Sequence, residues 1–441
     1  MNYAYAEAIQ NAKQVLETNY TGTHTVPANG GLYPHQWLWD SCFIAIGLRH
    51  YDIERAQQEI LRLFDGQWHN GMVPNMILSS GAKSRDARIW QSWLNPNAPD
   101  NLQTSGITQP PMIAEAVVQI GKKLKPVERR KWYKQVYPKL LAYHQWLYDD
   151  RDPHNEGLVL QLHPWETGLD NTPPWMHQLH EHQMPVWIQL AKKVGLKKVI
   201  NIFRKDTKLI PAEQRLDTYD ALALYSTQRR LRRKRYNTEK ALSHSLFAIE
   251  DVSYNAIFIR ANQHLRTIAK DLKKELPDNF KIQTKRTEEA FEKLWDQYSS
   301  QYFSREFTSH KHIKIPSIGN LIALYSGVVD EKKAQLIVQS LENEKKYGAS
   351  FPVPTTELAN EWFNPVGYWQ GPTWVNANWL IIDGLKRAGF KDHAEALRES
   401  TVDMVAQAGC YEYFNPKTGQ GAGAENFSWT AALAIDLAHN N

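Results

Sequence analysis

The chain has 441 residues, with 52 Lys and Arg against 47 Asp and Glu, so its formal net charge is only +5. The densest basic run, residues 229–235, has no interleaved aromatic residues and no nucleic-acid motif, which favours a solvated helix face and argues against a nucleic-acid partner. Two cysteines, Cys42 and Cys410, are too few for a disulfide framework or a cysteine-based metal site.

The chain carries no signal for a membrane or for export. No apolar run approaches the ~20 residues that cross a bilayer. The first residues enter an amphipathic pattern directly, with no basic and apolar leader before it. We therefore expect a cytoplasmic protein with no membrane partner, and the sequence leaves open whether it forms a homo-oligomer.

Helical patterns of two kinds alternate along the chain, and strand signals are few and short. One kind begins with aromatic and polar residues and continues as a small, apolar body; the other is longer and charged. The predicted helices lie near residues 2–18, 53–64, 112–121, 126–150, 176–195, 213–235, 250–275, 286–298, 331–343, up to 388, 392–407 and 426–439, and the strand signals at 158–162, 351–354 and 411–414. The alternation predicts an all-α fold with two concentric rings of helices, formed by residues 1–441 as one domain.

Aromatic and polar residues gather where helices of the first kind begin. Trp39 and Asp40 open one such helix, and Gln109 stands in the same place before another. The regions about 66–108 and 155–175 contain little periodic pattern, and long loops in a compact domain are usually functional. With 16 Trp and 20 Tyr in the chain, these features predict a carbohydrate pocket at one mouth of the rings, covered by the two loop regions.

Two carboxylates stand in stretches suited to glycosidic hydrolysis, which needs an acid and a base or nucleophile on opposite sides of the bond. Asp170 lies among tryptophans and prolines, where apolar crowding raises a carboxyl pKa and suits a general acid. Glu425 follows a glycine-rich stretch at the start of a helix, where the helix dipole favours an anion. The alternative for Asp170 is a turn and helix cap. Glu166 is a competing acid or a tether for the loop.

The motifs around Tyr33 to Asp40, Trp165 to Asn171, Asp251 to Asn255, Tyr368 to Trp374 and Glu425 to Trp429 together resemble the trehalase-like glycoside hydrolases. Within them the chain is most similar to the branch of processing α-glucosidase I and the bacterial mannosylglycerate and glucosylglycerate hydrolases. The resemblance covers the chain from about residue 30 onward. It implies an (α/α)6 toroid and an inverting mechanism without metal or organic cofactor.

Carried over to matching positions, the resemblance implies Asp170 as general acid and Glu425 as general base. It also implies a set of substrate-binding residues: Trp39, Asp40, Gln109, Gly168, Trp369, Gln370 and Trp374 for the sugar, and Tyr33, Arg215 and Tyr219 for a glycerate aglycone. A proline expected after the arginine is replaced by Leu216.

The favoured function is hydrolysis of a small α-linked substrate, glucosylglycerate or mannosylglycerate, to the sugar and glycerate. The first alternative is an α-glucosidase for a neutral disaccharide or oligosaccharide. A sugar epimerase would need a histidine pair such as His163 and His35, and a non-catalytic sugar-binding protein would need neither carboxylate. Of these alternatives, the hydrolases alone release a reducing sugar.

Overall fold

The computed structural model describes residues 3–79, 84–182, 184–195, 197, 204, 206–243 and 245–439. Residue 2, where the first predicted helix begins, lies outside the described residues. So do residue 183, inside the predicted helix 176–195, and residues 80–83 of the predicted loop region 66–108.

The described residues form nineteen α-helices and four short 3-10 turns. The helices are α1 Tyr3–Thr18, α2 Leu38–Leu48, α3 Ile53–Asp65, α4 Arg85–Trp90, α5 Ile113–Lys123, α6 Pro126–Arg151, α7 Pro164–Thr167, α8 Pro173–His182, α9 Val186–Lys193, α10 Asp206–Leu209, α11 Thr218–Arg233, α12 Thr238–Leu242, α13 Val252–Asp271, α14 Asp278–Ala290, α15 Gly319–Ile322, α16 Glu331–Glu342, α17 Val375–Arg387, α18 Lys391–Ala408 and α19 Ser428–His439. The 3-10 turns are Ser92–Leu94, Ala212–Gln214, Phe291–Leu294 and Ala323–Ser326.

Six of the described helices close an inner ring. In order around the ring, α2 packs on α5, α5 on α13, α13 on the 3-10 extension of α15, that extension on α17, α17 on α19, and α19 on α2. Every residue of α2 is buried, as are the residues of α19 up to Ala438. Helices this apolar on all sides belong in the interior of a protein.

Six further described helices surround this ring, each next in the chain to a helix of the inner ring. They are α1, α3, α6, α14, α16 and α18, and each packs on one or two inner helices. Their pattern is amphipathic: α3, for example, buries Ile60, Leu63 and Phe64 on one side. One hydrophobic core runs from Ile9 to Ala438 through both rings. The structure is the predicted (α/α)6 toroid.

The β-structure consists of four antiparallel pairs of two-residue strands, which confirms the all-α prediction for the described residues. They join Gln36–Trp37 to Met76–Ile77, Ile249–Glu250 to Arg305–Glu306, Trp295–Asp296 to Gln301–Tyr302, and Tyr413–Phe414 to Gly421–Ala422. Of the three strand signals, the one at 411–414 becomes part of the last hairpin. The other two contain only isolated bridges, at Gln161 and Pro354.

Two regions depart from the predicted pattern. The stretch 79–105, predicted without regular structure, contains α4, whose first turn is capped by the side chain of Ser84. Between α6 and α13, the chain adds a group of short helices, α7 to α12. Residues of these helices form a second hydrophobic cluster around Trp175, Met176 and Leu224. None of the described helices is both long and apolar enough to cross a membrane.

The first and last inner helices approach unusually closely at a glycine. A Cβ atom on Gly47 of α2 would lie 2.5 Å from the backbone of Ala432 in α19. Contacts between Cβ and backbone atoms essentially never become that short, so only glycine allows this packing.

We expect Gly47→Ala to lower the free energy of unfolding by about 1–3 kcal/mol, because the two helices must separate to admit the methyl group. Denaturant unfolding followed by circular dichroism measures this. Gly319→Ala is the matched control, since the atoms nearest to its Cβ would be two movable serine hydroxyls, at 3.2 and 3.3 Å. Equal losses for both variants would contradict the prediction.

Candidate active site

A cavity of about 410 Å³ opens at the end of the toroid where the inner helices begin. Trp39 and Asp40 line it from the start of α2, Gln109 from the segment before α5, and Trp429 from the start of α19. Loop residues complete the wall, among them Tyr33, Gly168, Asp170, Arg215, Tyr368, Trp369 and Glu412. The predicted convergence of helix starts on one pocket is therefore present.

Both predicted loop regions contribute to this wall. Met76 and Trp90 come from the region 66–108, and Trp165 and Asp170 from the region 155–175. A third stretch, residues 204–225, contributes the predicted Arg215 together with Asp206 and several others that were not predicted.

Asp170 follows the short helix α7. The residue that caps the C-terminus of this helix, Gly168, has the left-handed backbone conformation. The side chain is partly buried and its remaining surface lines the cavity. Burial raises the pKa of Asp170 to about 7; the charge of Glu412 adds to this rise, while Arg215 and a hydrogen bond from Tyr368 oppose it. A carboxyl group with this pKa holds its proton through a large part of the neutral range.

Gly168 allows the conformation of the same loop because it has no side chain. Its φ is +74°, and a Cβ atom there would lie 2.5 Å from the ring of Trp39. The glycine therefore lets the loop that bears Asp170 lie directly against the wall of the cavity.

Asn171, the residue after Asp170, fixes the loop on its other side. Its side chain accepts a hydrogen bond from the backbone of Trp369 at 2.8 Å and donates one to the carbonyl of Gly367 at 3.3 Å. The carboxyl-bearing loop and the tryptophan wall are thus joined by a single amide side chain.

Glu166 is a tether rather than a second acid of the cavity. It is fully buried, and its carboxylate accepts hydrogen bonds at 2.6 Å from both Arg151 and the backbone of Leu162. These contacts use both carboxylate oxygens, so the group holds the loop to α6.

Glu412 is a further carboxylate of the cavity, and the sequence did not predict it. Only 1% of its surface is exposed. One oxygen accepts a hydrogen bond from the Tyr33 hydroxyl at 2.7 Å, the other from the backbone of Ala424 at 2.9 Å, and Arg215 lies 3.4 Å from both. The sequence gives little sign that Glu412 belongs to the cavity, because it is an isolated carboxylate in a short segment with a strand-like pattern.

Glu425, which the sequence predicts as general base, lies elsewhere. It is exposed, its carboxylate accepts a hydrogen bond from the Tyr411 hydroxyl at 3.1 Å, and it is not among the described residues that line the cavity. The structure does not bring Glu425 together with Asp170. The glycine-rich stretch before it turns back toward the cavity through Ala424, and Glu425 follows on the outer side.

Arg215 is buried between two tyrosines. The centre of its guanidinium lies 5.7 Å from the ring of Tyr33 and 4.7 Å from that of Tyr368. Asp206 is 3.8 Å from its Nε atom, which has no hydrogen-bond partner among the described residues. The Nε atom is therefore a buried donor without a hydrogen-bond partner in the described part of the chain.

Three tryptophans of the cavity wall, Trp39, Trp369 and Trp429, lie close together, and a fourth, Trp374, packs behind them. Trp369 stacks flat on Trp374, with ring centroids 3.8 Å apart and planes 5° from parallel. Trp39 lies 6.2 Å from Trp369 and 5.4 Å from Trp429. Trp374 is completely buried and does not line the cavity, so it supports Trp369 from behind.

Two other predicted substrate-binding residues lie away from this cavity. Gln370 lines a neighbouring cavity of about 370 Å³, which shares Arg215 with the first. Tyr219 is buried in the second hydrophobic cluster, and its hydroxyl donates a hydrogen bond to the carbonyl of Ala191 at 3.4 Å. Tyr33, Trp39, Asp40, Gln109, Gly168, Arg215 and Trp369 line the main cavity together with Asp170.

The two histidines that an epimerase would need are held by other groups. His163 accepts a hydrogen bond from the backbone of Trp165 and contacts the carbonyl of Leu224, and burial lowers its pKa to about 4. His35 lies 3.1 Å from the carboxylate of Asp86. No group of three metal-binding side chains is found in the described part of the chain.

Comparison with known proteins identifies relatives over nearly the whole chain. Residues 33–430 match the family described as the mannosylglycerate hydrolase MGH1-like glycoside hydrolase domain. The chain is 36% identical to the mannosylglycerate hydrolase of Rubrobacter radiotolerans, over 98% of this chain and 96% of that protein. It is 30% identical to the glucosylglycerate hydrolase of Mycolicibacterium hassiacum, over 96% of each.

A solved structure matches the fold equally well. The crystal structure of GH63 mannosylglycerate hydrolase from Thermus thermophilus, in complex with Tris and D-glycerate, superposes with a TM-score of 0.86 at 35% identity. The match covers 98% of this chain and 100% of that one.

The raised pKa of Asp170 has a consequence for stability. In the unfolded chain this carboxyl loses its proton near pH 3.8, whereas in the folded protein it does so near pH 7. The folded state therefore binds more protons between these values, and Asp170 costs the protein stability as the pH rises through that window.

We expect Asp170→Asn to be more stable relative to the unchanged protein at pH 8 than at pH 5, since an amide does not ionise. Urea unfolding at both pH values measures the difference. Glu425→Gln is the control, because that side chain is exposed and should show no such trend. A stability difference for Asp170→Asn that did not change with pH would contradict the assigned pKa.

Proposed function

Because this chain belongs to the mannosylglycerate hydrolase MGH1-like glycoside hydrolase family, we propose that it hydrolyses mannosylglycerate or glucosylglycerate, releasing the sugar and glycerate with inversion. The observation that carries this proposal is the raised pKa of Asp170 in a cavity that also contains Glu412 and Arg215. An acid, a base and a cation for an anionic aglycone are thus available in one place.

In this proposal Asp170 is the general acid. With a pKa of about 7 it keeps its proton in about half of the molecules at pH 7, and the side chain is only partly buried and lines the cavity. It gives its proton to the glycosidic oxygen as the bond to the sugar breaks. Glycerate therefore leaves with a neutral hydroxyl group in place of the glycosidic oxygen.

Glu412, in place of the predicted Glu425, is the general base. Hydrogen bonds from Tyr33 and Ala424 and the nearby charge of Arg215 stabilise its anionic form. The carboxylate takes a proton from a water molecule as that water attacks the anomeric carbon on the face opposite the leaving oxygen. Such a pair requires a separation of ~6.5–9.5 Å between the two carboxyl groups to admit the water.

The sugar itself is proposed to lie against the tryptophan wall. The flat face of Trp369, which Trp374 holds rigid, offers an apolar surface, while Asp40 and Gln109 offer hydrogen-bonding groups in the same cavity. Gln370, Trp374 and Tyr219 are not assigned to direct sugar or glycerate contact in this arrangement. We further propose that residues 1–441 act as one domain on a small carbohydrate.

Arg215 is proposed to bind the glycerate carboxylate. Its Nε donor is without a partner among the described residues, and a guanidinium edge matches a carboxylate in two hydrogen bonds. One observation favours the alternative, a neutral α-glucoside: Arg215 already lies near two carboxylates, Glu412 and Asp206. These two negative charges partly offset the attraction of Arg215 for a third carboxylate, that of glycerate.

We expect Asp170→Asn and Glu412→Gln each to lower kcat by about 10³-fold or more, because each removes one proton transfer from a formed pocket. Reducing-sugar release from mannosylglycerate and glucosylglycerate measures this, with circular dichroism to verify folding. Glu425→Gln is the matched control and should keep most of the activity. If Glu425→Gln were the inactive variant and Glu412→Gln the active one, our choice of base would be wrong.

We expect Arg215→Lys to lower kcat/KM for glycerate-bearing substrates by ~10–150-fold, which corresponds to a charge-assisted contact of about 1.5–3 kcal/mol. The matched substrate is the same sugar linked to glycerol, which replaces the carboxylate by a neutral hydroxymethyl group and should be affected little. An equal loss on both substrates would show that Arg215 supports the fold or the base, and would favour the neutral alternative.

A further inference from the structure

Two segments far apart in the chain meet at the outer side of the active cavity. We call residues 212–215 the strap; it consists of the 3-10 turn Ala212–Gln214 followed by Arg215. We call residues 419–424 the glycine loop; it contains three glycines and includes the second strand of the hairpin whose first strand follows Glu412. The strap bears the proposed aglycone cation, and the hairpin bears the proposed base.

Two consecutive amide groups of the glycine loop serve these two segments. The N–H of Gly423 donates a hydrogen bond to the side-chain oxygen of Gln214 at 2.9 Å. The N–H of Ala424 donates one to Glu412, also at 2.9 Å. These two successive peptide groups therefore join the strap to the proposed base.

Only glycine can hold this arrangement at residue 423. Its φ is +75°, and a Cβ atom would lie 2.6 Å from a carboxylate oxygen of Glu412. The glycine-rich stretch, which the sequence suggested as the support for Glu425, thus has a different use. The backbone conformation at Gly423 directs two neighbouring N–H groups toward two different acceptors, the side chains of Gln214 and Glu412.

The strap has a second contact with the same hairpin, again through Gln214. The hydroxyl of Tyr413, the residue after Glu412, donates a hydrogen bond to the backbone carbonyl of Gln214. Arg215 itself is held by ring contacts and by ion pairs longer than 3.3 Å. Its position therefore depends strongly on the backbone that Gln214 fixes.

We propose that Gln214 is a positioning residue, whose side chain couples the Arg215 strap to Glu412 through the glycine loop. This inference rests on the proposed function for the roles of Arg215 and Glu412. Gln214 acts through these two residues and through the amide of Gly423, and it makes no contact with substrate in this role.

The closing experiment compares Gln214→Leu with Gln214→Glu. Leucine removes the acceptor for Gly423, whereas glutamate keeps an oxygen in the same place. We expect Gln214→Leu to lower kcat/KM for the glycerate-bearing substrate by about 10-fold or more, mainly through KM, because a misplaced cation loses most of its binding contribution. The loss on the glycerol-linked substrate should be a few-fold, and Gln214→Glu should restore most of the activity.

A double variant tests whether Gln214 acts through Arg215. If it does, Gln214→Leu combined with Arg215→Lys should lose little more on the glycerate substrate than Arg215→Lys alone. Fully multiplicative losses, equal losses on the charged and neutral substrates, or a Gln214→Glu variant as poor as Gln214→Leu would each overturn the proposal.

Hydrogen exchange provides a measure that does not depend on the substrate. The amide of Gly423 should exchange at least about 10-fold faster in Gln214→Leu than in the unchanged protein, and near the original rate in Gln214→Glu. Unchanged exchange in Gln214→Leu would overturn the coupling even in an active enzyme. Conversely, faster exchange in a protein that hydrolyses no glycerate substrate would support the coupling and contradict the proposed function.

Discussion

The contact between Arg215 and Glu412 is the interaction on which the site depends. It joins side chains 197 residues apart, and both are almost completely removed from water. Either charge alone would be costly to bury, so each requires the other and the hydroxyl and amide donors around them. Asp170 lines the same cavity, and there burial outweighs the nearby cation, so the pKa of its carboxyl group rises.

The toroid makes this arrangement possible by placing many chain segments around one mouth. The segments that precede four of the inner helices, α2, α5, α17 and α19, reach the same cavity from different directions. The helices carry the apolar packing, so the segments before them are free to carry polar and aromatic groups. The stacked pair Trp369 and Trp374 illustrates this, because the ring of Trp369 lines the cavity while the buried ring of Trp374 packs behind it.

The sequence predicted the rings and the place of Asp170 in the cavity well, because both leave local signals. Helix periodicity is repeated over more than ten segments, and Asp170 stands among aromatic and proline residues that mark a fixed loop. The position of Glu425 resembled that of a catalytic base by the same local criteria, a glycine-rich stretch and a helix start. What no local pattern could show is that the hairpin turns Glu412 inward and leaves Glu425 in solvent.

Tyr219 and Gln370 illustrate the same limit. Both stand next to residues that do line a cavity of the site, yet Tyr219 packs into the second hydrophobic cluster and Gln370 faces the neighbouring cavity. Which way a side chain points on an irregular segment is decided by contacts with distant parts of the chain. A residue can therefore belong to a sequence motif of the site without lining the main cavity, even when its neighbour in the chain does line it.

The closure of the inner ring between α2 and α19 has a consequence for how the protein is made. The ring is completed only when a helix at residues 428–439 packs against one at 38–48, at the point where Gly47 meets Ala432. During synthesis from the N-terminus, nearly four hundred further residues must be made before the face of α2 that packs on α19 is covered. Until then the cavity lacks the part of its wall that Trp429 forms, so the same contact completes both the inner ring and the pocket.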